Sequence, residues 1–356
     1  MGPPPAGRVG AGGGPQRHPA LPPDVADPRA GRAGPGVVRR RRRVSVLADE
    51  IRGFEHEALF YRGEEDFLAG LLPFVREGLD LDEVVVVAEP RPRLRLLRDA
   101  LGDDADAVQF IDMAEIGGNP ARIIGVWAAT LEKHTRAGRR IRGVGEPAFA
   151  GRRPAEFAEC ELHELLLNRA FDDGPAWRLL CPYDEDRLPR TVIRGALHTH
   201  PFRSTSVSRL TSGSYAADGV ATAFGRPLPP PTEGVLRGTF GAHDVPATRR
   251  TVAHYARRCG LSEEQVEVLE LAASELATNS VLHGGGTGTV AMWLEPGAAV
   301  VEFSDSGHVT DPLTGRTMPP LESEGGRGVY LVNQLCDLVQ LRSSEHGTTV
   351  RVITWR

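Results

Sequence analysis

Three short blocks of polar residues and glycines follow one another in a fixed order near the C-terminus of the chain. The first runs from Glu275 to Gly284, the second is Asp305-Ser-Gly307, and the third is Gly325-Gly-Arg-Gly328. A carboxylate with an amide, a second carboxylate beside a glycine, and a glycine loop are groups that a nucleotide site can use. The blocks constrain the fold because such a site requires all three to meet in one place.

The first block is predicted to lie on a helix that begins after Ser262 and ends at Gly284. Apolar residues recur at helical spacing through this segment, and Ser262 followed by two glutamates is typical of a helix N-cap. Glu275, Asn279 and His283 share one stripe of this helix because they follow one another at i, i+4 and i+8. The amide oxygen can bind Mg²⁺, and the carboxylate can accept a proton. The structural alternative is a polar stripe that only faces water.

The second and third blocks are predicted to follow a strand and to open a helix. Asp305 ends a predicted strand, where its carboxylate can accept a hydrogen bond from an exocyclic amine, and Gly307 lets the main chain approach a flat ring closely. An isolated Asp-x-Gly is otherwise an ordinary turn. The glycine loop presents main-chain amides to an anion, and Arg327 can add a contact to a phosphate. A flexible hinge is the alternative for this loop.

The lysine content excludes two common kinds of ATP site. The sequence contains one lysine, Lys133, in the segment Leu-Glu-Lys-His. Neither a Walker A loop nor the strand lysine of eukaryotic-type kinases is therefore present.

From about Phe240 to Arg356 the chain resembles the GHKL ATPase superfamily and, within it, the small anti-sigma-factor serine/threonine kinases. The three blocks resemble the N box, the G1 box and the G2 box of that superfamily. The resemblance implies an α/β sandwich that holds ATP and Mg²⁺ between the N-box helix and a lid. It also implies that Glu275 is the catalytic base and that Asn279 holds Mg²⁺. Asp305 would accept a hydrogen bond from adenine, with support from Thr348 or Thr349. The residues predicted to contact the nucleotide are Asn279, His283, Asp305, Gly307, Gly325, Gly326, Arg327, Gly328, Thr348 and Thr349.

One position departs from the motif of the superfamily. The second glycine of the G1 box is Val309 in this sequence. This replacement predicts a change in the mobility of the lid, residues 308–324, and in the affinity for nucleotide.

The segment before the ATPase-like region favours transfer to a separate protein over autophosphorylation. A sensor histidine kinase needs a phosphoaccepting histidine on a dimerisation helix. Here a Pro-rich stretch leads into one short predicted helix, Ala247 to Cys259, that carries His254 alone. Two alternatives stay open: an atypical histidine kinase, and a binding switch that holds nucleotide without transferring a phosphoryl group.

The N-terminal half is predicted to be a separate three-layer α/β domain. Strand and helix patterns alternate through residues 44–201, with Val84 to Ala88 as a continuous buried strand. This half resembles the MEDS sensory domain, which implies a RecA-like fold with a sensing rather than a catalytic role. The polar candidates for sensing are His56, Tyr61, Arg62, Glu64, Glu146 and Asp184, each of which could instead be a satisfied structural group.

The remaining segments are predicted to be disordered or to lack a site. Residues 1–43 are rich in Gly, Pro and Arg and cannot bury a core, and residues 202–239 are predicted to be a flexible linker before the ATPase domain at 240–356. The segment His198-Thr-His200 is predicted to be the frayed end of the sensory domain. Cys160 and His163 lie one helical turn apart, and two ligands do not make a metal site.

These features together predict a cytoplasmic regulatory kinase of α/β fold. The net charge of −5 does not suggest nucleic-acid binding, and no apolar run reaches the length of a membrane span. The resemblance implies two protein partners, an anti-sigma-factor antagonist of the STAS type and a sigma factor. A homodimer is also consistent with the resemblance.

Overall fold

The computed structural model of the protein describes residues 53–231, 233–319 and 326–356. The predicted tail at residues 1–43 lies outside the described residues. Gly325 of the third block and residues 320–324 of the predicted lid lie outside them as well. The elements described below belong to one compact unit.

The N-terminal half contains a mainly parallel sheet. Its described strands are β1 (Phe54–Tyr61), β2 (Val84–Glu89), β3 (Val108–Asp112), β4 (Ile141–Gly145), β5 (Trp177–Asp184), β6 (Phe202–Ser204) and β7 (Arg209–Thr211). They are arranged in the order β3-β2-β4-β5-β1-β6-β7, and β7 runs antiparallel to β6. The helices of this half are α1 (Gly63–Asp80), α2 (Arg91–Leu101), α3 (Met113–Ile116), α4 (Ile123–Thr135), α5 (Pro154–Phe171), α6 (Arg190–Thr199) and α7 (Gly219–Gly225).

Strand β2 explains why this half has three layers. All six of its residues are buried, and successive side chains point to opposite faces of the sheet. Val85 and Val87 pack with residues of α1 and α2 on one face, whereas Val84 and Val86 pack with residues of α4 and α5 on the other. A β-branched run that is apolar at every position is what a strand covered on both faces requires. The predicted α/β fold is confirmed.

The C-terminal half contains an antiparallel sheet with helices on one face. Its described strands are β8 (Leu236–Gly241), β9 (Thr287–Glu295), β10 (Ala298–Asp305), β11 (Leu338–Ser344) and β12 (Gly347–Trp355), in the order β11-β12-β10-β9-β8. The helices are α8 (Val245–Arg258), α9 (Glu263–His283) and α10 (Arg327–Leu335). Alternate residues of the strands face these helices, as Val301 and Phe303 of β10 do. This arrangement is a two-layer α/β sandwich.

The segment that the sequence predicts to be a flexible linker, residues 202–239, is largely structured. Strand β6 pairs in parallel with β1, with Leu59 opposite Ser204, and β7 pairs with β6. Helix α7 buries Phe224 in the same core as the sheet. The expectation of a frayed end at His198-Thr-His200 is also wrong, because Thr199 and His200 are at most 1% exposed. The Ser- and Thr-rich composition of this segment predicts flexibility, but it carries no information about the edge of β1, with which the segment pairs.

The two halves share a buried core. One hydrophobic cluster contains Trp127 of the first half together with Phe303 of the second. Within the described ranges, none of the helices has both the length and the apolar character that crossing a membrane requires.

Candidate nucleotide-binding site

Helix α9 presents the first block as a stripe that is half-buried at its centre. Ser262 caps the helix: its hydroxyl accepts a hydrogen bond from the amide of Gln265, and the Gln265 side chain accepts one from the Ser262 amide. Glu275 and Asn279 are partly exposed, whereas His283 at the last turn is exposed. The capping box thus fixes where the helix begins, and its period places the carboxylate and the amide on one face.

The start of helix α10 lies directly against this stripe. A Cβ atom on Gly328 would come within 2.5 Å of Oε2 of Glu275 and within 3.6 Å of Nδ2 of Asn279. Gly326, which precedes the helix, has a φ of +86°, a conformation that favours glycine. The amides of the first turn of α10, which have no partners within the helix, therefore open beside Glu275 and Asn279.

Asp305 is held in place by two hydrogen bonds. The hydroxyl of Ser280 donates to its Oδ2 at 2.6 Å, and the amide of Gly307 donates to its Oδ1 at 2.9 Å. Ser280 follows Asn279 in the chain, so one turn of α9 supplies both the predicted magnesium ligand and the residue that orients Asp305. The sequence analysis did not identify Ser280; its position beside the Asn of the first block is the signal that could have pointed to it.

Close packing of main chains explains the glycine of the second block. A Cβ on Gly307 would lie 2.5 Å from the carbonyl oxygen of His283 and 2.9 Å from Cα of Gly284. A Cβ on Gly284 would overlap the side chain of Asp305. The end of α9 and the end of β10 can therefore meet only because both positions lack a side chain.

The structure separates the two threonines that the sequence could not distinguish. Thr348 is opposite Asp305 in the β10–β12 pairing, and its hydroxyl donates to the carbonyl of Gly307 at 2.9 Å. Thr349 is opposite Ser304, and the two hydroxyls are 3.2 Å apart. Because neighbouring residues of a strand point to opposite faces, Thr348 supports the Asp305 turn and Thr349 does not.

Val309 is fixed rather than loose. Its amide donates to the hydroxyl of Ser343 at 2.8 Å, and its side chain packs against the core. The same Ser343 hydroxyl lies 2.7 Å from that of Thr348. The main chain at this position therefore joins the start of the lid to strands β11 and β12, and the valine side chain adds packing that a glycine would lack.

A cavity of about 750 Å³ adjoins the site on the side of strands β8 and β9. Asp305 and Ser306 line it together with Thr239, Asp244 and Thr289. Glu275, Asn279 and Gly328 do not line it. The chemistry of the predicted site is concentrated on the α9 side of Asp305, and we therefore do not assign the nucleotide to this cavity.

Residues of the first half contact the helix and the lid of this site. The side-chain amide of Asn119 donates to the carbonyl of Asn333 at 3.1 Å, and Arg122 donates to the carbonyls of Asn333 at 2.8 Å and Cys336 at 2.7 Å. These carbonyls belong to the C-terminal end of α10. Arg316 of the lid segment is buried, and burial lowers its pKa to about 10. The sequence analysis did not identify these residues.

Glu159 of α5 forms a second bridge between the two halves. Its carboxylate accepts a hydrogen bond from Nη2 of Arg342 at 2.5 Å and one from Gln340 at 3.3 Å, and all three side chains are buried. The positive charge of Arg316 lies near enough to interact with Glu159. The carboxylate thus satisfies polar groups of β11 that would otherwise be buried without a partner.

The six polar candidates of the first half fall into three places. Tyr61, Glu146 and Asp184 meet at the carboxyl ends of parallel strands, Arg62 and Glu64 are exposed, and His56 is buried elsewhere. The Tyr61 hydroxyl donates to Glu146 at 3.4 Å. Ligands of open α/β sheets bind at carboxyl ends of strands, so this group is the candidate sensing site.

Two further residues complete the group at the carboxyl ends of the strands. Arg93 donates to Asp184 at 3.0 Å and lies over the ring of Tyr61. Glu89 is fully buried, and neither of its carboxylate oxygens has a hydrogen-bond partner among the described residues. Burial raises the pKa of Glu89 well above its usual value, and the neighbouring Glu146 raises it further. The sequence analysis did not identify Glu89, although it directly follows the predicted buried strand Val84 to Ala88.

Two stretches of the chain match known families. Residues 55–201 match the family described as MEDS, the MEthanogen/methylotroph, DcmR Sensory domain, and residues 241–354 match the histidine kinase-like ATPase domain. The chain therefore carries an N-terminal MEDS domain and a C-terminal ATPase domain of the GHKL type, as the sequence resemblance implied. The ATPase assignment implies that the C-terminal domain binds ATP.

Individual relatives match part of the chain. The serine-protein kinase RsbW of Halalkalibacterium halodurans is 29% identical over 110 residues, which are 28% of this chain and 68% of that protein. The crystal structure of the RsbU and RsbW domains of Rv1364c from Mycobacterium tuberculosis is 18% identical, with a TM-score of 0.27. That match covers 35% of this chain and 32% of the other, so this chain spans about a third of the length of the solved protein.

Proposed function

We propose that the protein is an ATP-dependent serine/threonine protein kinase of the anti-sigma-factor type whose activity is adjusted by its MEDS domain. The observation that carries the proposal is the contact between the start of α10 at Gly328 and the Glu275–Asn279 stripe of α9. This contact brings a carboxylate, a side-chain amide and the main-chain amides of a helix start close to one another. The similarity of the domain to a serine-protein kinase supports the same reaction.

The proposed reaction uses each of these groups once. The amides at the start of α10 bind phosphate oxygens, and the amide oxygen of Asn279 suits Mg²⁺, which prefers oxygen ligands and retains waters. The hydroxyl oxygen of a serine or threonine attacks the γ-phosphorus, the bond to the β–γ bridging oxygen breaks, and ADP leaves. The carboxylate of Glu275 accepts the hydroxyl proton. Asp305, oriented by Ser280, accepts a hydrogen bond from the adenine amine.

The proposed protein substrate is a small anti-sigma-factor antagonist of the STAS type. In this proposal the unmodified antagonist and a sigma factor compete for the ATPase domain, and phosphorylation removes the antagonist. Transfer to a separate protein is favoured over phosphorylation of His254. This histidine is exposed on α8, and α8 packs against α9 of the nucleotide domain instead of forming a separate dimerisation hairpin.

The contacts of Asn119 and Arg122 with α10 suggest how the MEDS domain would act on the kinase. These side chains satisfy carbonyls at one end of the helix whose other end forms the proposed phosphate site. A ligand that binds one arrangement of the MEDS domain more tightly than another would favour that arrangement. The accompanying position of α10 would then become more populated, to the extent set by the difference in affinity. Regulation would then act on phosphate binding rather than on Glu275.

The test is phosphoryl transfer from labelled ATP to candidate antagonist domains by the full-length protein and by Asn279→Ala. We expect the wild type to place an acid-stable phosphate on a serine or threonine of the antagonist. We expect Asn279→Ala to lose transfer while it still binds the antagonist, and the neighbouring variant Thr278→Ala to keep it. Equal transfer by Asn279→Ala and the wild type would contradict the site.

A nucleotide-dependent binding switch is the second candidate, and the fixed position of Val309 favours it. A lid whose first residues are tied to Ser343 would close and open less readily over ATP. In that case nucleotide would alter partner binding, and no phosphoryl group would be transferred to any protein. An acid-labile phosphate on this chain alone would instead indicate a histidine kinase.

A further inference from the structure

Four side chains that can bind a metal ion meet in the interior of the MEDS domain. They are His56 of β1, Glu164 of α5, Cys181 of β5 and His200, which follows α6. Each is at most 1% exposed. One nitrogen, oxygen or sulfur atom from each of the four lies within 4.8 Å of the corresponding atoms of the others.

Four of the six separations among these atoms, which range from 3.0 to 3.7 Å, are close to those in a tetrahedral coordination shell. Oε2 of Glu164 lies 3.0 Å from Nε2 of His56, 3.5 Å from Nε2 of His200 and 3.7 Å from Sγ of Cys181. Nε2 of His56 lies 3.3 Å from Sγ of Cys181. A tetrahedral zinc ion with ordinary Zn–N, Zn–O and Zn–S bonds holds its ligands about 3.3–3.6 Å apart.

The hydrogen bond of His56 fixes which nitrogen carries its proton. The Asn168 side-chain nitrogen donates to the carbonyls of Thr199 at 2.8 Å and Glu164 at 3.2 Å, so its amide oxygen must face His56. That oxygen lies 3.1 Å from Nδ1 of His56, and Nδ1 is therefore the donor. Nε2 then has a lone pair that points toward the carboxylate of Glu164 and the sulfur of Cys181.

His200 is arranged in the same way. Its Nδ1 lies 2.9 Å from the carbonyl of Ala196, which can only accept a hydrogen bond, so the proton is again on Nδ1. The Thr199 hydroxyl, 2.8 Å from Nδ1, donates to the same carbonyl at 3.3 Å. Its Nε2 is buried and has no hydrogen-bond partner among the described residues. Imidazoles that bind metals usually donate their other nitrogen to a carbonyl or carboxylate, which both histidines do here.

Two imidazole lone pairs and a carboxylate oxygen thus face one another in a dry interior. Acceptors at these distances repel unless a positive charge lies among them. A proton on Glu164 could bond to His56, but it would leave Nε2 of His200 without a partner. A divalent ion satisfies all four groups together, and the Tyr183 hydroxyl, which donates to Oε1 of Glu164 at 3.0 Å, orients the carboxylate from outside.

We propose that His56, Glu164, Cys181 and His200 bind one divalent transition-metal ion, of which Zn²⁺ fits the mixed nitrogen, oxygen and sulfur set best. Four protein ligands leave no open position, so the ion holds structure or reports metal supply rather than catalysing a reaction. Glu164 lies on α5, the helix that also carries Glu159. Metal binding therefore fixes the helix that contacts Arg342 of the ATPase domain.

The test is the metal content of the purified full-length protein. Because the site is buried, the metal must enter during folding, and the protein is unfolded and refolded with Zn²⁺ or Co²⁺ before excess ion is removed. We expect about one equivalent of zinc per chain. We expect the cobalt form to show a thiolate-to-cobalt charge-transfer band and the intense visible bands of a four-coordinate ion.

Variants locate the ion. His200→Ala and Cys181→Ser are expected to lose most of the metal, and Cys181→Ser is expected to lose the charge-transfer band. The matched control is Cys160→Ser, which changes a buried thiol on α5 that bonds the carbonyl of Pro147 instead. If the wild type refolds without retaining zinc or cobalt, the four side chains are held together by hydrogen bonds alone, and the proposal is overturned. Equal metal loss in Cys160→Ser and Cys181→Ser would overturn it too.

Discussion

Nε of Arg122 donates a hydrogen bond to the main-chain carbonyl of Asn333 at 2.8 Å. The two residues belong to different domains, since Arg122 lies in the MEDS domain and Asn333 in the last turns of α10. The helix that begins at the proposed phosphate site therefore ends on a side chain of the sensory domain. In the proposed kinase, changes in the MEDS domain would reach the nucleotide through this helix, without passing through the sheet of the ATPase domain.

Replacing Arg122 by alanine should weaken ATP binding although the residue is remote from the proposed phosphates. The variant removes two bonds. The buried carbonyl of Cys336 loses its Arg122 donor, at a cost of about 1–3 kcal/mol, whereas Asn119 still donates to the carbonyl of Asn333. We expect a several-fold rise in the Kd for ATP by calorimetry and faster amide exchange in α10. Arg136→Ala, which breaks an exposed ion pair with Glu132, is the control. Unchanged exchange in α10 would argue against the coupling.

Replacing Glu275 by glutamine should separate binding from transfer. Glutamine keeps the size of the side chain beside Gly328 but cannot accept the hydroxyl proton. We expect ATP affinity within about twofold of the wild type and a loss of about 10²–10⁴ in the rate of phosphoryl transfer. Single-turnover transfer to an antagonist domain measures this rate. Glu267→Gln, on an exposed position of the same helix, is expected to transfer at the wild-type rate.

Ser280→Ala should reduce nucleotide affinity through Asp305. Loss of the 2.6 Å bond to Oδ2 leaves the Asp305 carboxylate less well oriented and lowers the binding free energy of the nucleotide by about 1–2 kcal/mol. The effect is this large because hydrogen bonds to charged groups are stronger than neutral ones. We expect the Kd for ATP to rise about 5- to 30-fold. Ser274→Ala on the same helix is the control. A variant that binds adenosine nucleotides and guanosine nucleotides as the wild type does would show that Asp305 needs no such support.

Val309→Gly should loosen the start of the lid. The variant restores the glycine of the G1 motif and removes a side chain packed against the core, at a cost of about 2 kcal/mol in stability. We expect faster nucleotide release in stopped-flow measurements and a lower Tm. The neighbour Thr310→Gly, at an exposed position, adds flexibility without removing a packed side chain, and we expect it to have little effect on stability. A slower release in Val309→Gly would mean that the valine does not restrain the lid.

Glu89→Gln should stabilise the protein at neutral pH. The pKa of Glu89 is raised on folding, so the folded state holds a proton that the unfolded state releases above its own pKa of about 4.5. The stability associated with Glu89 is therefore present below that pH and is lost as the pH rises through the folded pKa. Glutamine cannot ionise, and we expect a higher free energy of unfolding at pH 7 and a flatter pH profile of unfolding.

Chemical denaturation between pH 5 and 8 measures the effect of Glu89→Gln, with exposed Glu65→Gln as the control. A loss of stability in Glu89→Gln at pH 7 would mean that the carboxylate is paired in solution.

The sequence by itself determined the main helices and strands around the site and the order of its three blocks along the chain. The helical period placed Glu275 and Asn279 on one face, the strand of valines predicted a sheet covered on both sides, and Gly284 marked the end of the helix. These features are local, because periodicity and glycine placement depend on neighbours within a few residues. The same local reasoning could not choose between Thr348 and Thr349, since the choice depends on which face of β12 meets Asp305.

Only the tertiary structure decided which distant residues meet. Arg122 and Asn333 are separated by 211 residues along the chain, and His56 and Cys181 by 125. No local pattern marks such pairs, and the segment containing His200 even reads as a disordered end. Its burial follows from the open edge of β1, which β6 covers just after His200. Composition indicates how polar a segment is, but whether it is buried depends on the surface that the rest of the fold leaves uncovered.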